Sequence, residues 1–152
     1  MSQPWAGVFV GAGVVWIGVI LTGIFVLRTL LRRVGRAQAW PAVHRLIPWV
    51  DLIGTWLGTV GVIALALGRE GYTFEWAACM GLFAVMITVS LYDRAVLMPS
   101  LDAAFKRTGK GEQHEKWEQN WRLLWRMSAV GRVLVLLMAS ASLLLALLRF
   151  FA

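Results

Sequence analysis

The feature that most constrains this chain is a series of four apolar segments, each long enough to cross a membrane as an α-helix. About 20 apolar residues in a helix span the roughly 30 Å of hydrocarbon in a bilayer. Only 15% of the residues are charged, whereas soluble domains are nearer to a quarter. We therefore expect an all-α fold, a single integral-membrane four-helix bundle over residues 1–152. The expected spans are residues 7–27, 47–67, 76–98 and 127–148.

The basic residues predict how the chain is oriented. The connections at 28–46 and 99–126 hold nearly all the lysines and arginines, and the short connection between the second and third segments holds only Arg69. By the positive-inside rule the two basic connections are cytoplasmic, so both termini lie outside, and the protein is a multi-pass protein of the bacterial inner membrane. The partners implied for these residues are the bilayer and its anionic lipid headgroups, not nucleic acid. The arginines expected to hold headgroups are Arg28, Arg32, Arg33 and Arg36.

The fourth segment begins as a charged helix that carries tryptophans. Trp117, Trp121 and Trp125 are four residues apart and form one stripe. This pattern predicts that the fourth helix extends into the cytoplasm beyond the bilayer. The stripe can anchor the helix among headgroups, pack against another subunit or a short helix at 101–107, or form a stacking wall for an aromatic or pigment-like ligand. Pro99 is expected to end the third helix.

Four charged residues lie inside or at the ends of the apolar segments. Asp51 falls early in the second segment, Asp93 and Arg94 fall late in the third, and Arg132 falls early in the fourth. With the predicted orientation all four have a similar depth in the inner half of the membrane. Because unpaired charges are costly there, we expect them to form a buried charged cluster. The cluster either locks the bundle or forms part of a proton, ion or ligand site.

Small residues predict where helices pack together. Glycines at helical spacing let membrane helices approach closely. The first segment carries one such face and the second segment carries another, and we expect the two faces to contact each other. The glycines concerned are Gly7, Gly11, Gly18, Gly54, Gly58 and Gly61.

The sequence contains no recognisable catalytic motif and no metal site. Its one cysteine, Cys79, excludes an internal disulfide. Both histidines, His44 and His114, fall in the predicted cytoplasmic connections, so a bis-histidine haem site within the bundle is not supported. Cys79 with Met80 and Met86 could bind Cu(I), but sulfur residues on an apolar helix are usually packing residues. No cofactor is therefore assigned.

The beginning of the first segment resembles that of a known bacterial group. Residues 11–18 read Gly-Ala-Gly-Val-Val-Trp-Ile-Gly, which is similar to integral membrane proteins related to the membrane domain of copper-resistance protein D. Trp125-Arg126 before the last span and the acid early in the second span are also similar, and the resemblance covers most of the chain. The group typically has a histidine seven residues before Trp16, where this chain has Phe9. The resemblance implies the four-helix architecture. The metal or haem function sometimes implied for the group would need that histidine as its best ligand, and this chain lacks it.

These observations favour a protein without its own catalytic centre. We expect a structural or accessory subunit of a membrane complex, or a homo-oligomer. Two alternatives remain: a transporter or channel for a small solute or proton that uses the charged cluster, and a redox or oxygenase-type membrane enzyme that acts on a lipophilic substrate or cofactor.

Overall fold

The described chain is almost entirely helical, which confirms the all-α prediction. The structure is a computed structural model that describes residues 3–68, 74–108 and 114–150, without the side chains of 3, 36, 37, 108, 114–117, 149 and 150. Helix α1 covers Gln3–Leu67, α2 covers Phe74–Tyr92, α3 covers Met98–Thr108 and α4 covers His114–Phe150. A π-helical turn, Asp93–Leu97, joins α2 to α3.

Four stretches of these helices are long and apolar enough to cross a membrane, as the sequence predicted. Each is longer than the segment expected from hydropathy, because the flanking polar residues continue the same helix. We call them spans 1 to 4: Pro4–Gly35, Gln38–Leu67, Phe74–Arg107 and Glu118–Leu148.

Gly35 makes the reversal between spans 1 and 2. Residues 28–46 are helical, although the sequence placed them in a connection, and α1 is interrupted only at Gly35, which has φ 76° and ψ 166°. This backbone conformation is essentially restricted to glycine. The bend brings span 2 against span 1, so that a Cβ atom added to Gly23 would lie 3.3 Å from a methyl group of Val50.

The third helix does not end at Pro99, contrary to the prediction. The π turn precedes Pro99, and the backbone N–H of Met98 donates to the carbonyl of Asp93, five residues earlier. A proline crowds the carbonyl four residues before it in an α-helix, here that of Ala95. Because the π turn includes Ala95, the chain departs from α geometry where the proline would clash, and span 3 continues to Arg107.

The spans enclose two hydrophobic cores, one toward each end of the bundle. We call the first the aromatic–aliphatic core and the second the tryptophan core. The first is built around Phe9, Trp16, Phe83, Met86 and Val135. The second is built around Leu27, Trp40, Val43, Met98, Leu101 and Trp121.

Candidate functional site

Three charged side chains lie between the two cores, one from each of spans 2, 3 and 4. Asp51 follows Ile47 of the tryptophan core and precedes the glycines that contact Trp16. Asp93 begins the π turn, between Met86 of one core and Met98 of the other. Arg132 lies three residues before Val135 of the aromatic–aliphatic core. We call these three residues the charged triad.

One guanidinium nitrogen of Arg132 contacts both acids. Arg132 Nη2 donates to Asp93 Oδ2 at 2.5 Å and lies 3.7 Å from Asp51 Oδ2. The side chain of Arg132 is 14% exposed, that of Asp93 is 6% exposed and that of Asp51 is 7% exposed. The Asp93 contact is a charge-assisted hydrogen bond, whereas the Asp51 contact is an ion pair at longer range. The triad therefore holds three helices together through one side chain.

The triad borders a cavity of about 20 Å³. A cavity of this size holds about one water molecule. Three polar atoms of the triad have no hydrogen-bond partner among the described residues, namely Asp51 Oδ2, Asp93 Oδ1 and Arg132 Nε. One water with several hydrogen bonds can satisfy such atoms. The cavity is also lined by Trp16, Ile20, Val50, Val89, Ser90, Gly131 and Val135.

Arg94 does not belong to the buried cluster, contrary to the prediction. It is exposed and lines a different groove, with His44 and Asp102. Neighbouring residues on a helix point in different directions, so only one of Asp93 and Arg94 can face the bundle. The cluster is therefore a triad with two acids and one base.

The tryptophans of the predicted stripe do not share one environment. Trp121 is 5% exposed, packs edge-on against Trp40 at 5.8 Å between ring centroids and stacks on Trp125 at 5.5 Å. Trp121 is thus a core residue instead of a headgroup anchor, and it shares the tryptophan core with Leu101 of α3. The side chain of Trp117 lies outside the described residues.

Asp102 is a polar residue that sequence reasoning missed. It accepts a hydrogen bond from Trp40 Nε1 at 3.4 Å, pairs with Lys106 Nζ at 2.5 Å and lies 3.8 Å from His44 Nε2. The spacing of four residues between Asp102 and Lys106 was visible in the sequence. The contacts with Trp40 and His44 depend on the packing of α1 against α3, which residue spacing does not reveal.

The two glycine faces do not contact each other, contrary to the prediction. A Cβ atom added to Gly7, Gly11 or Gly18 would meet nothing within 4 Å. The glycines of span 2 instead form a trough for aromatic rings. Gly54 and Gly58 face Trp16, and Gly61 faces Phe83. The large rings of Trp16 and Phe83 fill the space that a second glycine helix would occupy.

The arginines after the first apolar segment also have different surroundings. Arg28 and Arg32 line a cleft of about 300 Å³ between spans 1 and 4, and Arg33 is exposed outside this cleft. The side chain of Arg36 lies outside the described residues. Arg132 of the charged triad also lines this cleft.

The sulfur residues of span 3 belong to the core. Cys79 and Met86 are fully buried in the aromatic–aliphatic core, and Met80 packs against it. The thiol of Cys79 contacts the carbonyl oxygen of Ser142 at 3.8 Å. Within the described residues, histidine, cysteine, aspartate and glutamate form no group of three that could hold a metal ion.

Comparisons with protein-family models, with curated proteins and with solved structures found no match for this chain. Its function is therefore inferred from the residues and contacts described above.

Proposed function

We propose that this protein is a multi-pass protein of the bacterial inner membrane that acts without its own catalytic centre, as a homo-oligomer or as an accessory subunit of a larger membrane complex. The observation that carries this proposal is the outward glycine face of span 1. Gly7, Gly11 and Gly18 are exposed, and added Cβ atoms would meet nothing within 4 Å. Small residues at helical spacing let another membrane helix approach closely.

An apolar groove continues the outward glycine face. It has a volume of about 430 Å³ and includes Gly18 together with Val15, Val19, Val26 and Val50. In lipid, helix association depends on close packing more than on a hydrophobic driving force. A groove bordered by glycine therefore favours a partner helix at this side of the bundle.

The charged triad supports the same proposal because it holds the helices of one chain together. Arg132 joins spans 2, 3 and 4 within the protein. A rigid bundle presents its outer face in a fixed orientation. The apolar surface thus suits contacts between chains, while the polar groups hold the chain itself together.

The proposed orientation places the arginine-rich end of span 1 and the start of span 4 in the cytoplasm, with both termini outside. A reporter enzyme that is active only in the cytoplasm, fused after residue 152, should be inactive. The same reporter inserted after residue 110 should be active. The opposite pattern would overturn the orientation.

The association test uses the full chain purified in mild detergent. The variant Gly7→Leu/Gly11→Leu should fold, because its new side chains enter open space, but it should lose the oligomer or the co-purifying partner in native mass spectrometry. The matched control is Gly81→Leu, an exposed glycine of span 3 with nothing within 4 Å of an added Cβ atom. Unchanged association in the double variant, or equal loss in the control, would refute the role of this face.

Passage of a proton or small solute is a second candidate, favoured by the cavity at the charged triad. Toward Phe9 and Phe83 the triad is followed by the aromatic–aliphatic core, in which Ser142 is a buried polar residue. Reconstituted vesicles would test it: flux that depends on pH and is lost in Asp93→Asn would favour transport. An absorption spectrum of the same preparation would test for a bound redox cofactor.

A further inference from the structure

The cleft between spans 1 and 4 combines apolar walls with basic residues. Arg28 and Arg32 of span 1 line it, and Arg132 lines it from span 4. A cleft of about 300 Å³ lies within the size range of sites that bind small organic ligands, roughly 300–1,000 Å³. The acids of the charged triad do not line this cleft, so its charged lining is basic. Its apolar walls come from Ile24, Leu27, Leu31, Trp125, Ala129 and Val133.

Ser128 provides a second, independent observation. It lines the cleft, is only 2% exposed, and its Oγ atom has no hydrogen-bond partner among the described residues. Several other helical hydroxyls behave differently: those of Thr29, Ser140 and Ser142 donate to the carbonyl four residues earlier. A buried hydroxyl without a partner is costly. The Oγ atom has almost no exposed surface in this rotamer, so rotation about χ1 toward the cleft would let a bound ligand accept its hydrogen bond.

From this combination we infer that the cleft is a binding site for one anionic membrane lipid. Arg28 and Arg32 hold the phosphate of its headgroup, Ser128 donates to a lipid oxygen, and the apolar walls contact the hydrocarbon. Arginine suits phosphate because its planar guanidinium donates two parallel hydrogen bonds. The inference rests on the membrane location proposed above, but not on the subunit role, because the cleft lies within one chain.

The test measures lipid retained by the full chain. Wild-type protein, purified in mild detergent and titrated with phosphatidylglycerol in native mass spectrometry, should bind one lipid more tightly than it binds phosphatidylcholine. Arg28→Gln/Arg32→Gln should weaken this binding by at least about tenfold, since a basic residue near an anionic membrane surface is worth about 1 kcal/mol. The matched control is Arg33→Gln/Arg45→Gln, which removes two exposed charges that do not line the cleft. Equal weakening in the control would overturn the site in favour of general surface attraction.

A second pair of variants tests the cleft without removing charge. Ala129→Trp fills the cleft, whereas Val130→Trp adds the same ring at the next residue, which is 66% exposed and outside the cleft lining. Only Ala129→Trp should lose the bound lipid, with an unfolding temperature close to that of the control. Retention of the lipid by Ala129→Trp would overturn the proposal. Displacement by inorganic phosphate alone would also overturn it, because the apolar walls would then contribute nothing.

Discussion

Arg132 Nη2 and Asp93 Oδ2 lie 2.5 Å apart across the contact between spans 3 and 4. The two residues are 39 positions apart in the chain, and Asp93 reaches this contact at the first residue of a π turn. Single π turns inside α-helices occur frequently at functional sites. Here the π turn coincides with a short, charge-assisted contact between two buried side chains.

The charged triad should respond asymmetrically to mutation. Removing one partner of a buried ion pair costs about 3–5 kcal/mol, so Arg132→Met, which leaves two buried acids, should lower the unfolding free energy by about that amount. Asp93→Asn should cost more than Asp51→Asn, because Asp93 makes the shorter contact. Reversible unfolding in detergent measures these changes, and Arg94→Gln, at an exposed position, is the control.

Neutralising the whole triad distinguishes a clamp from a polar functional site. The triple variant Asp51→Asn/Asp93→Asn/Arg132→Met should recover most of the stability lost in Arg132→Met, because no uncompensated charge remains. If the triple variant is no more stable than Arg132→Met, the ion pairs are not the reason for the single-variant loss.

The glycines of span 2 should tolerate no larger side chain. In Gly58→Ala the new Cβ atom would lie 2.7 Å from atoms of both Trp16 and Ile87, and overpacking of this kind costs about 1–3 kcal/mol. Gly7→Ala, where the Cβ meets nothing within 4 Å, should be neutral or stabilising by up to about 1 kcal/mol from helix propensity. Thermal unfolding compares the two, and equal effects would contradict the packing of Trp16 on span 2.

Gly35 should be difficult to replace because of its backbone conformation alone. Nothing lies within 4 Å of an added Cβ atom there, so any cost of Gly35→Ala comes from its positive φ. Strained conformations of this kind cost about 1–3 kcal/mol. Gly81→Ala, in the helical interior of span 3, is the control and should not lower the unfolding free energy. An unchanged Gly35→Ala variant would mean that the bend can form without glycine.

The tryptophans should differ according to their position. Trp121→Ala should lower the unfolding free energy by about 3–5 kcal/mol, the usual cost for a large aromatic residue in a core, because it removes contacts with Trp40 and Trp125. Trp56→Ala should have a much smaller effect, because Trp56 is 67% exposed. Similar losses for both variants would contradict a core role for Trp121.

The fold was largely predictable because each membrane helix satisfies its own backbone hydrogen bonds. The four apolar segments predicted the four spans without knowledge of their neighbours. The connections were less predictable. Residues 28–46 are polar enough to suggest a loop, yet they are helical and one glycine reverses the chain. Pro99 predicted a helix end, yet the π turn before it lets the helix continue.

The candidate site was predictable only in part. The positions of Asp51, Asp93 and Arg132 within their apolar segments predicted that the three residues lie at one depth in the membrane, since a helix rises by about 1.5 Å per residue. Depth alone could not separate Asp93 from Arg94, because it carries no information about which way a side chain points around the helix. Nor could it find Asp102, whose contacts with Trp40 and His44 join helices far apart in the chain.

By itself, the sequence determined an all-α chain with four apolar helices and charges at a common depth, because hydropathy and helical rise are local properties. Only the tertiary structure decided that Asp93 and not Arg94 faces Arg132, and that Trp16 and not a second glycine helix fills the trough of span 2. These outcomes depend on the rotation of each helix about its axis, which is set by the volumes of side chains on neighbouring helices.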